Sequence, residues 1–194
     1  TVVIAQQPNV VISVNNNIIC QGGSATITSV VTLGSGTYTY QWQRSPANAG
    51  TWTNITSGGN GPNYNVPSGT IGSYDYRVLV QDVLYDCGDP VSNVVNVTVQ
   101  SQPGVSASTD DAVICIGGTA LLTSTVTGGS GSFSYQWQSS TSPSGPWTNI
   151  SGATGPSYTA PGSIPGVTWY QVIVTDNANN CNDPVSNAIS VTVI

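Results

Sequence analysis

Two copies of one sequence follow each other in this chain, and the repeat limits what the chain can fold into. The segment YQWQRSPANAGTWTNI (Tyr40–Ile55) returns as YQWQSSTSPSGPWTNI (Tyr135–Ile150). The flanking blocks align as well and contain four cysteines at matching places, Cys20 with Cys115 and Cys87 with Cys181. Repeated units of about 95 residues have the size of one domain each. The sequence therefore predicts two domains of the same fold.

Each copy alternates apolar and polar residues over short stretches, as β-strands do. Val, Ile, Thr, Tyr and Trp fill these stretches, while Gly, Pro, Asn and Ser separate them. In the first copy we expect the strands Val10–Ile19, Ala25–Thr32, Tyr38–Arg44, Thr51–Ile55, Asn63–Val66, Tyr74–Val80 and Val91–Val99. Such a series, with a tryptophan in its third strand, predicts an all-β protein of two tandem immunoglobulin-like β-sandwich domains, 1–99 and 100–194.

Aromatic residues recur at matching positions in the two copies. Two pairs are expected in the domain cores, Trp42 with Trp137 and Tyr76 with Tyr170. The tyrosines begin the sixth strand and resemble the tyrosine corner of antibody domains. Trp52 and Trp147 follow a turn and lie on a predicted edge strand. An aromatic ring at such a place either packs on its own domain or contacts a ligand such as a sugar.

Charged side chains are scarce, and this excludes several functions. The net charge is −6, the only bases are Arg44 and Arg77, and Lys, Glu and His are absent. Such a chain offers no cationic surface for a nucleic-acid backbone or an anionic membrane. No apolar run reaches the roughly 20 residues of a membrane helix, and few general acids, bases or nucleophiles remain. We therefore expect neither an enzyme, nor nucleic-acid binding, nor membrane insertion.

The segments GGSGSFSYQWQSS, WTNISGATGPSYT, YQVIVTD, DPVSN and VTV of the second half have close counterparts in the first. Together they are similar to the Ig-like and PKD-like repeats of very large cell-surface adhesins from gliding and other type IX-secreting bacteria. The resemblance covers essentially the whole chain. It implies an extracellular location, long arrays of similar domains used in adhesion, motility or surface fibres, and no catalytic residues.

Four cysteines in a chain of secreted appearance predict two disulfides. In the predicted sandwich Cys20 precedes the second strand and Cys87 follows the sixth, and these strands run in the same direction. The two cysteines of one domain would then lie about 20 Å apart, whereas a disulfide needs Cα atoms within about 7 Å. We predict an inter-domain bond between Cys20 and Cys181, and an inter-subunit bond between Cys115 and Cys87 of a neighbouring copy.

Alternatives to this pairing remain open. The intradomain pairs Cys20–Cys87 and Cys115–Cys181 would form if the topology differs from a standard sandwich, and free thiols are a third state. The segment TVVI at 1–4 aligns with the last strand of each copy. We expect it to pair with a preceding domain or to add a strand to a neighbouring subunit.

Aspartates recur in the loop after the sixth strand of each copy. The calcium candidates are Asp82, Asp86, Asp89, Asp176 and Asp183. Carboxylates suit Ca²⁺, but their spacing matches no EF-hand loop, and Asp in such loops commonly caps turns. We expect no metal or other cofactor, with Ca²⁺ as the weaker alternative. Three N-x-[ST] triplets, at Asn54, Asn96 and Asn149, are short patterns that such a composition also produces by chance.

Two functions are compatible with these features. The first is a structural repeat module of an extracellular surface fibre, filament or adhesin stalk, which stacks end to end through disulfide-linked joints with copies of itself or with further domains of an array. The alternative is an adhesin module that binds glycans or surfaces through Trp52 and Trp147. The fold alone does not decide between them.

Overall fold

The computed structural model describes residues 6–84, 88–177 and 181–194. The chain divides into two compact units, Thr1–Gln100 and Ser101–Ile194, called domain 1 and domain 2 below. Within the described ranges every regular element is a β-strand, and no helix there is long and apolar enough to cross a membrane. The predicted strand at 1–4 lies outside the described residues, as do Asp86 and Cys87.

Domain 1 is a sandwich of two sheets. Its strands are β1 Asn9–Val14, β2 Ile18–Cys20, β3 Ala25–Thr32, β4 Tyr38–Pro46, β5 Thr53–Asn54, β6 Asn63–Val66, β7 Gly72–Asp82 and β8 Val95–Gln100. One sheet has the order β1-β3-β6, and the other has the order β2-β8-β7-β4-β5. Adjacent strands are antiparallel except β2 and β8, which are parallel.

Domain 2 repeats this arrangement. Its strands are β9 Gly104–Thr109, β10 Val113–Ile114, β11 Thr119–Thr127, β12 Phe133–Ser140, β13 Thr148–Asn149, β14 Ser157–Pro161, β15 Gly166–Asp176 and β16 Ile189–Val193. The sheets have the orders β14-β11-β9 and β10-β16-β15-β12-β13. This topology confirms the prediction of two tandem immunoglobulin-like β-sandwiches.

Each core consists of the side chains on one face of the strands, where buried and exposed residues alternate. In β7 every second residue from Tyr76 to Asp82 is buried, while the residues between them are partly or fully exposed. Trp42 of β4 lies opposite Val78 in register and is fully buried. Because side chains of a strand alternate between its faces, one face of each sheet supplies the core and the other faces solvent. Trp137 and Val172 have the same relationship in domain 2.

A row of three aromatic rings crosses each core. In domain 1 Trp42 stacks on Tyr64 at 5.9 Å between ring centroids, and Tyr64 lies 5.8 Å from Tyr76. The corresponding rings of domain 2 are those of Trp137, Tyr158 and Tyr170. The four predicted core aromatics thus lie in the two cores, joined by Tyr64 and Tyr158 from the opposite sheets. Packed aromatic pairs of this kind contribute about 0.5–1.5 kcal/mol beyond the area they bury.

Hydrogen bonds explain why the YQWQ and WTNI segments occur twice. The Trp42 indole Nε1 donates to the Gly61 carbonyl at 2.8 Å, and the Gln41 side chain donates to the Ile55 carbonyl at 3.0 Å. In domain 2 Trp137 donates to Gly155 and Gln136 to Ile150 in the same way. Each conserved side chain therefore satisfies a backbone carbonyl of the segment that follows β4 or β12. Since buried polar groups need such partners, both copies keep the residues that supply them.

The prediction of one continuous first strand over Val10–Ile19 is wrong, because the segment forms two strands. The segment forms β1, which pairs with β3, and then β2, which pairs with β8 in the other sheet. The interruption falls at 15–17, where the Asn15 side chain accepts the Asn16 and Thr26 backbone N–H groups, each at 2.8 Å. An Asn side chain that takes over backbone hydrogen bonds ends a strand, which lets the chain change sheets here.

The expected last strand, Val91–Val99, begins too early. Residues 89–93, DPVSN, precede β8 and form only an isolated bridge to β7, between Val91 and Leu79. The side chains of Ser92 and Asn93 add bonds to the backbone. The Ser92 hydroxyl accepts the Val78 N–H at 3.0 Å and donates to the Asn93 carbonyl at 2.7 Å. Ser186 does the same with Val172 and Asn187. The expected fourth strand, Thr51–Ile55, is also shorter, because only Thr53–Asn54 pairs with β4.

Candidate functional site

Cys20 lies at the end of domain 1 where the chain leaves it. It is the last residue of β2 and is in register with Gln100, the last residue of β8. The next backbone N–H, of Gln21, donates to the Gln100 carbonyl at 2.8 Å. Cys20 is buried and is disulfide-bonded. Parallel pairing of β2 with the last strand thus brings this cysteine to the exit of domain 1.

Cys181 lies at the end of domain 2 where the chain enters it. It is in the loop between β15 and β16, and the N–H of the next residue, Asn182, donates to the Gln102 side-chain oxygen at 2.8 Å. Gln102 precedes β9, the first strand of domain 2. Cys181 is also disulfide-bonded. The two oxidised cysteines therefore lie at the domain ends that adjoin residues 100–102 in sequence.

Cys115 occupies in domain 2 the position that Cys20 occupies in domain 1. It directly follows β10, which pairs in parallel with β16, and the Ile116 N–H donates to the Ile194 carbonyl at 3.1 Å. Cys115 is exposed and has a free thiol. Cys87 lies outside the described residues. Its neighbour Gly88 approaches Gln7, ahead of β1, so that a Cβ at Gly88 would lie 2.9 Å from the Gln7 Nε2.

Two of the calcium candidates bind the loop between β3 and β4 in domain 1 and the equivalent loop between β11 and β12 in domain 2. Asp82 ends β7, and its carboxylate accepts the Ser35 N–H at 2.6 Å and the Ser35 hydroxyl. Asp176 accepts the Ser130 N–H at 2.7 Å and the Ser130 hydroxyl at 2.5 Å. Both aspartates are buried. These carboxylates therefore hold the GSG-containing loops in place, which is the turn-capping role of Asp.

The remaining aspartate candidates have different surroundings. Asp89 and Asp183 are exposed at the start of the DPVSN segments, and Asp86 lies outside the described residues. The amides of Asn54 and Asn149, which begin N-x-[ST] triplets, accept hydrogen bonds from Gln43 and Gln138 at 2.8 Å. The third, Asn96, donates to Asp75 at 2.7 Å. These amides thus belong to polar ladders on the outer sheet face.

Trp52 lies just before β5 and is partly exposed. The guanidinium carbon of Arg77 lies over its ring, 4.2 Å from the centroid. Arg77 Nε in turn donates to the Gln43 side-chain oxygen at 2.7 Å. A guanidinium over an indole face is held by a cation–π attraction of about 0.5–1 kcal/mol at exposed sites. The contact fixes the orientation of the tryptophan on the outer surface of domain 1.

A pocket of about 410 Å³ lies beside Trp52. Its lining residues are Arg44, Pro46, Thr51, Trp52, Thr53 and Tyr74. Arg44 is exposed, and its guanidinium carbon lies 5.4 Å from the centroid of the Tyr74 ring. The pocket therefore combines one cation, two aromatic rings and two threonine hydroxyls.

Domain 2 has a pocket at the same place but with different chemistry. It measures about 320 Å³ and is lined by Ser139, Ser140, Thr141, Pro146, Thr148 and Thr168. Ser139 and Thr168 stand where domain 1 has Arg44 and Tyr74. Trp147 is partly exposed, and the Gly145 backbone packs on its ring, since a Cβ there would lie 3.0 Å from Trp147 Cδ1. The sequence predicted Trp52 and Trp147 as equivalent ligand contacts. In the structure the two tryptophans have different neighbours.

Burial changes the acidity of the core tyrosines. It raises the pKa of Tyr76 from its ordinary 10.0 to about 12, and the neighbouring Tyr64 adds to this rise while Arg44 opposes it. Burial also raises the pKa of Tyr170, with Tyr158 adding to it. Since desolvation disfavours the charged phenolate, these tyrosines ionise only at a higher pH than an exposed tyrosine does. Their environment is that of structural core residues.

Sequence reasoning missed Arg44, Arg77 and Tyr74 as contributors to a site. The available signal was that the only two cations of the chain both fall in the first repeat, on the third and sixth strands. Neither has a charged counterpart in the second repeat, where Ser139 and Gln171 replace them.

The fold and these sites define a tandem pair of immunoglobulin-like sandwich domains with oxidised cysteines at domain ends. Both domains belong to one family, Domain of unknown function (DUF8696), which matches residues 9–101 and again 104–194. The chain is therefore a tandem member of that family. No curated protein matches the chain.

Solved structures of similar fold contain immunoglobulin and fibronectin domains. The fibronectin(III)-like modules of Clostridium thermocellum CbhA are 15% identical, with 94% of this chain and 93% of that chain covered, at a TM-score of 0.38. The N-terminal four Ig domains of Dscam1 isoform 6.9 are 13% identical, at 98% and 46% coverage and a TM-score of 0.43. Murine CEACAM1b is 12% identical, at 96% and 100% coverage and a TM-score of 0.43. The chain spans about half the length of the Dscam1 structure. At these values the likeness carries no conclusion about function.

Proposed function

We propose that this protein is a structural repeat module of an extracellular surface fibre, filament or adhesin stalk, and that its domains stack end to end through disulfide-linked joints. The observation that carries the proposal is the position of the oxidised cysteines. Cys20 adjoins Gln100 at the exit of domain 1, and the neighbour of Cys181 bonds Gln102 at the entrance of domain 2.

The first joint in this proposal is a bond between Cys20 and Cys181. Residues 100–102 connect, along the chain, the two domain ends at which these cysteines lie. A disulfide at such a joint would limit the relative motion of two domains that a short linker alone leaves free.

The second joint would use the remaining two cysteines. Cys115 is at the exit end of domain 2 and has an exposed thiol, while Cys87 follows β7 in the sequence, as Cys181 follows β15. If every joint is alike, Cys115 bonds the Cys87 equivalent of the next unit. That unit is either another copy of this chain or a further domain of a longer array.

The amino-acid composition also supports a structural role in an extracellular fibre. Charged residues make up only 5% of the chain, and disulfides persist in oxidising extracellular surroundings. Many uncharged hydroxyl and amide groups permit neighbouring fibres to pack without charge repulsion. The resemblance to adhesin repeats of type IX-secreting bacteria is in keeping with this location, and no catalytic function or cofactor is part of the proposal.

Non-reducing peptide mapping of the oxidised 194-residue chain tests the proposal. A protease that cuts at Asp is required, because the chain has only two Arg and no Lys, and because Asp89 and Asp110 but no aromatic residue lie between Cys87 and Cys115. We expect a Cys20–Cys181 peptide, a Cys115–Cys87 peptide, and a ladder of covalent multimers on a non-reducing gel. The variant Cys115→Ser should abolish the ladder and keep the Cys20–Cys181 peptide. Peptides that join Cys20 to Cys87 and Cys115 to Cys181 would refute the proposal.

A further inference from the structure

The two arginines of the chain lie on neighbouring strands of domain 1, β4 and β7, and project from opposite faces of that sheet. Arg77 lies over the Trp52 ring, and Arg44 lines the pocket beside the same tryptophan. Both residues belong to domain 1, although the net charge of the chain is −6. Arg44 is the cation that lines this pocket, so binding of an anion there would depend on Arg44.

Folding does not require these cations. In domain 2 Gln171 stands in place of Arg77, and its side chain donates to the Gln138 oxygen at 2.7 Å, which reproduces the bond from Arg77 to Gln43. The same ladder therefore forms without a guanidinium. The charge of Arg77, and its contact with Trp52, are additions that only domain 1 carries.

Arg44 is similarly replaced, by Ser139, in a domain of the same topology. Its side chain is exposed and lies above Tyr74. The carboxylate on the adjacent part of β7, that of Asp75, accepts the Asn48 N–H at 2.8 Å and the Asn96 amide at 2.7 Å. Because the Arg44 side chain is exposed at the pocket, its guanidinium can donate N–H groups to a ligand there.

We propose that domain 1 binds an acidic saccharide, a sugar that carries a carboxylate or a sulfate, in the pocket formed by Arg44, Trp52 and Tyr74. The planar guanidinium matches a carboxylate or sulfate with two parallel hydrogen bonds. The aromatic rings offer apolar faces for the C–H face of a sugar ring, and the hydroxyls of Thr51 and Thr53 can bond its hydroxyl groups. Domain 2, with Ser139 and Thr168 in the matching pocket, lacks this activity.

This activity is additional to the fibre role and does not depend on it. A saccharide site on one of two alternating domains would give an end-to-end array a regular spacing of binding sites. Multiple weak sites on one fibre then act together on a polysaccharide. Net negative charge elsewhere on the chain opposes general attraction of polyanions, so binding has to come from the pocket itself.

Binding is measured by calorimetry on the full chain carrying Cys115→Ser, which keeps the protein from forming multimers. The probes are polygalacturonate oligomers, sulfated dextran oligomers and neutral dextran oligomers, at a salt concentration near physiological. We expect at least one acidic probe to bind and neutral dextran not to bind. The acidic probe that binds identifies the anion as carboxylate or sulfate.

Substitutions to the residues of domain 2 provide matched variants. Arg44→Ser should weaken binding of the acidic probe by about tenfold or more, as expected for a charge-assisted bidentate contact. Arg77→Gln should weaken it less, because Arg77 acts by orienting Trp52. Ser139→Ala, in the other pocket, should leave it unchanged. The unfolding temperature of each variant checks that the fold is intact.

Three results would overturn the proposal. The parent protein could bind neither acidic probe, Arg44→Ser could bind the acidic probe as tightly as its parent, or neutral dextran could bind as tightly as the acidic probe. None of these results affects the disulfide map, which is read independently on the same protein. A chain that forms the Cys20–Cys181 bond but binds no acidic probe is a fibre module without this site.

Discussion

Asn93 holds the backbone of Ile12 through two hydrogen bonds. Its side-chain oxygen accepts the Ile12 N–H at 2.8 Å, and its side-chain nitrogen donates to the Ile12 carbonyl at 3.0 Å. Asn187 makes the same two bonds to Ala107 in domain 2, at 2.9 and 3.1 Å. Each Asn belongs to the segment before the last strand of one sheet, whereas Ile12 and Ala107 lie in the other sheet. The repeated DPVSN motif thus joins the two sheets of each sandwich.

Replacing Asn93 with Ala should therefore release the edge strand β1. Loss of two hydrogen bonds to the backbone is expected to reduce the free energy of unfolding by about 2 kcal/mol. Locally, the Ile12 amide should exchange with deuterium faster than in the parent chain, as measured by NMR on the full protein. Asn60→Ala, in an exposed loop, is the control and should change neither quantity. Unchanged protection of the Ile12 amide in Asn93→Ala would show that the β1–β3 ladder alone holds the strand.

Gly34 occupies a site that no other residue fits. Its φ is +69°, and a Cβ there would lie 2.6 Å from the Asp82 carboxylate oxygen that accepts the Ser35 N–H. Gly34→Ala should destabilise domain 1 by about 2–4 kcal/mol, from backbone strain together with disturbance of the Asp82 contacts. Gly36→Ala has a similar φ of +85° but open space around its Cβ, and should cost about 1–2 kcal/mol. Thermal unfolding of the two variants gives the comparison, and equal losses would remove the role assigned to Asp82.

The sequence predicted the fold well where alternation is strict or β-branched residues are abundant. The strands Ala25–Thr32 and Asn63–Val66 have the bounds that were expected. Asn63–Val66 alternates polar and apolar residues without interruption, and Ala25–Thr32 is rich in the β-branched residues that favour strands. The sequence did not predict the strand ends at which side chains form the hydrogen bonds to backbone groups. Asn15 ends β1, and Ser92 and Asn93 delay β8. Such bonds join residues distant in sequence, and a pattern of apolar positions contains no information about them.

The candidate sites were predictable to different degrees. Topological reasoning from strand direction predicted domain-end positions for the cysteines, and Cys20 and Cys181 lie at such ends. The pocket beside Trp52, in contrast, depends on side chains from separate strands. Arg44, Thr53 and Tyr74 meet because β4 lies between β5 and β7. The alignment of the two copies marked Trp52 and Trp147 as equivalent, and only the contacts of Arg77 and Gly145 distinguish them.

Alkaline pH should unfold domain 1 through its buried tyrosine. The pKa of Tyr76 is raised from 10.0 to about 12 in the folded state. Because the folded-state value is above the unfolded value, the stabilising contribution is complete below pH 10 and is lost as the pH rises from about 10 to about 12. Stability to urea, measured across this interval, should fall, and Tyr76→Phe should reduce the slope. An identical slope in Tyr76→Phe would assign the loss to other groups.

Removal of divalent cations should leave the protein unchanged. Asp82 and Asp176 already accept hydrogen bonds from Ser35 and Ser130, which is the role that explains their burial. The unfolding temperature in EDTA should equal that in CaCl₂. Asp82→Ala should lower it in both buffers, by an amount equivalent to about 1–3 kcal/mol for the donors left without a partner. A fall in EDTA alone would instead support the calcium hypothesis.

Reduction of the proposed fibre should proceed in two stages. A thiolate must reach a disulfide sulfur to break the bond, so access controls the rate. Cys115 is exposed, whereas Cys20 is fully buried. Increasing concentrations of dithiothreitol should therefore first dissolve the covalent multimers to single chains, while the Cys20–Cys181 peptide persists. Alkylation with two mass-distinct reagents before and after full denaturation records the order. If Cys20 is labelled as early as Cys115, the disulfide at Cys20 is as accessible to the reductant as the inter-subunit disulfide. Burial of Cys20 would then give that bond no extra protection.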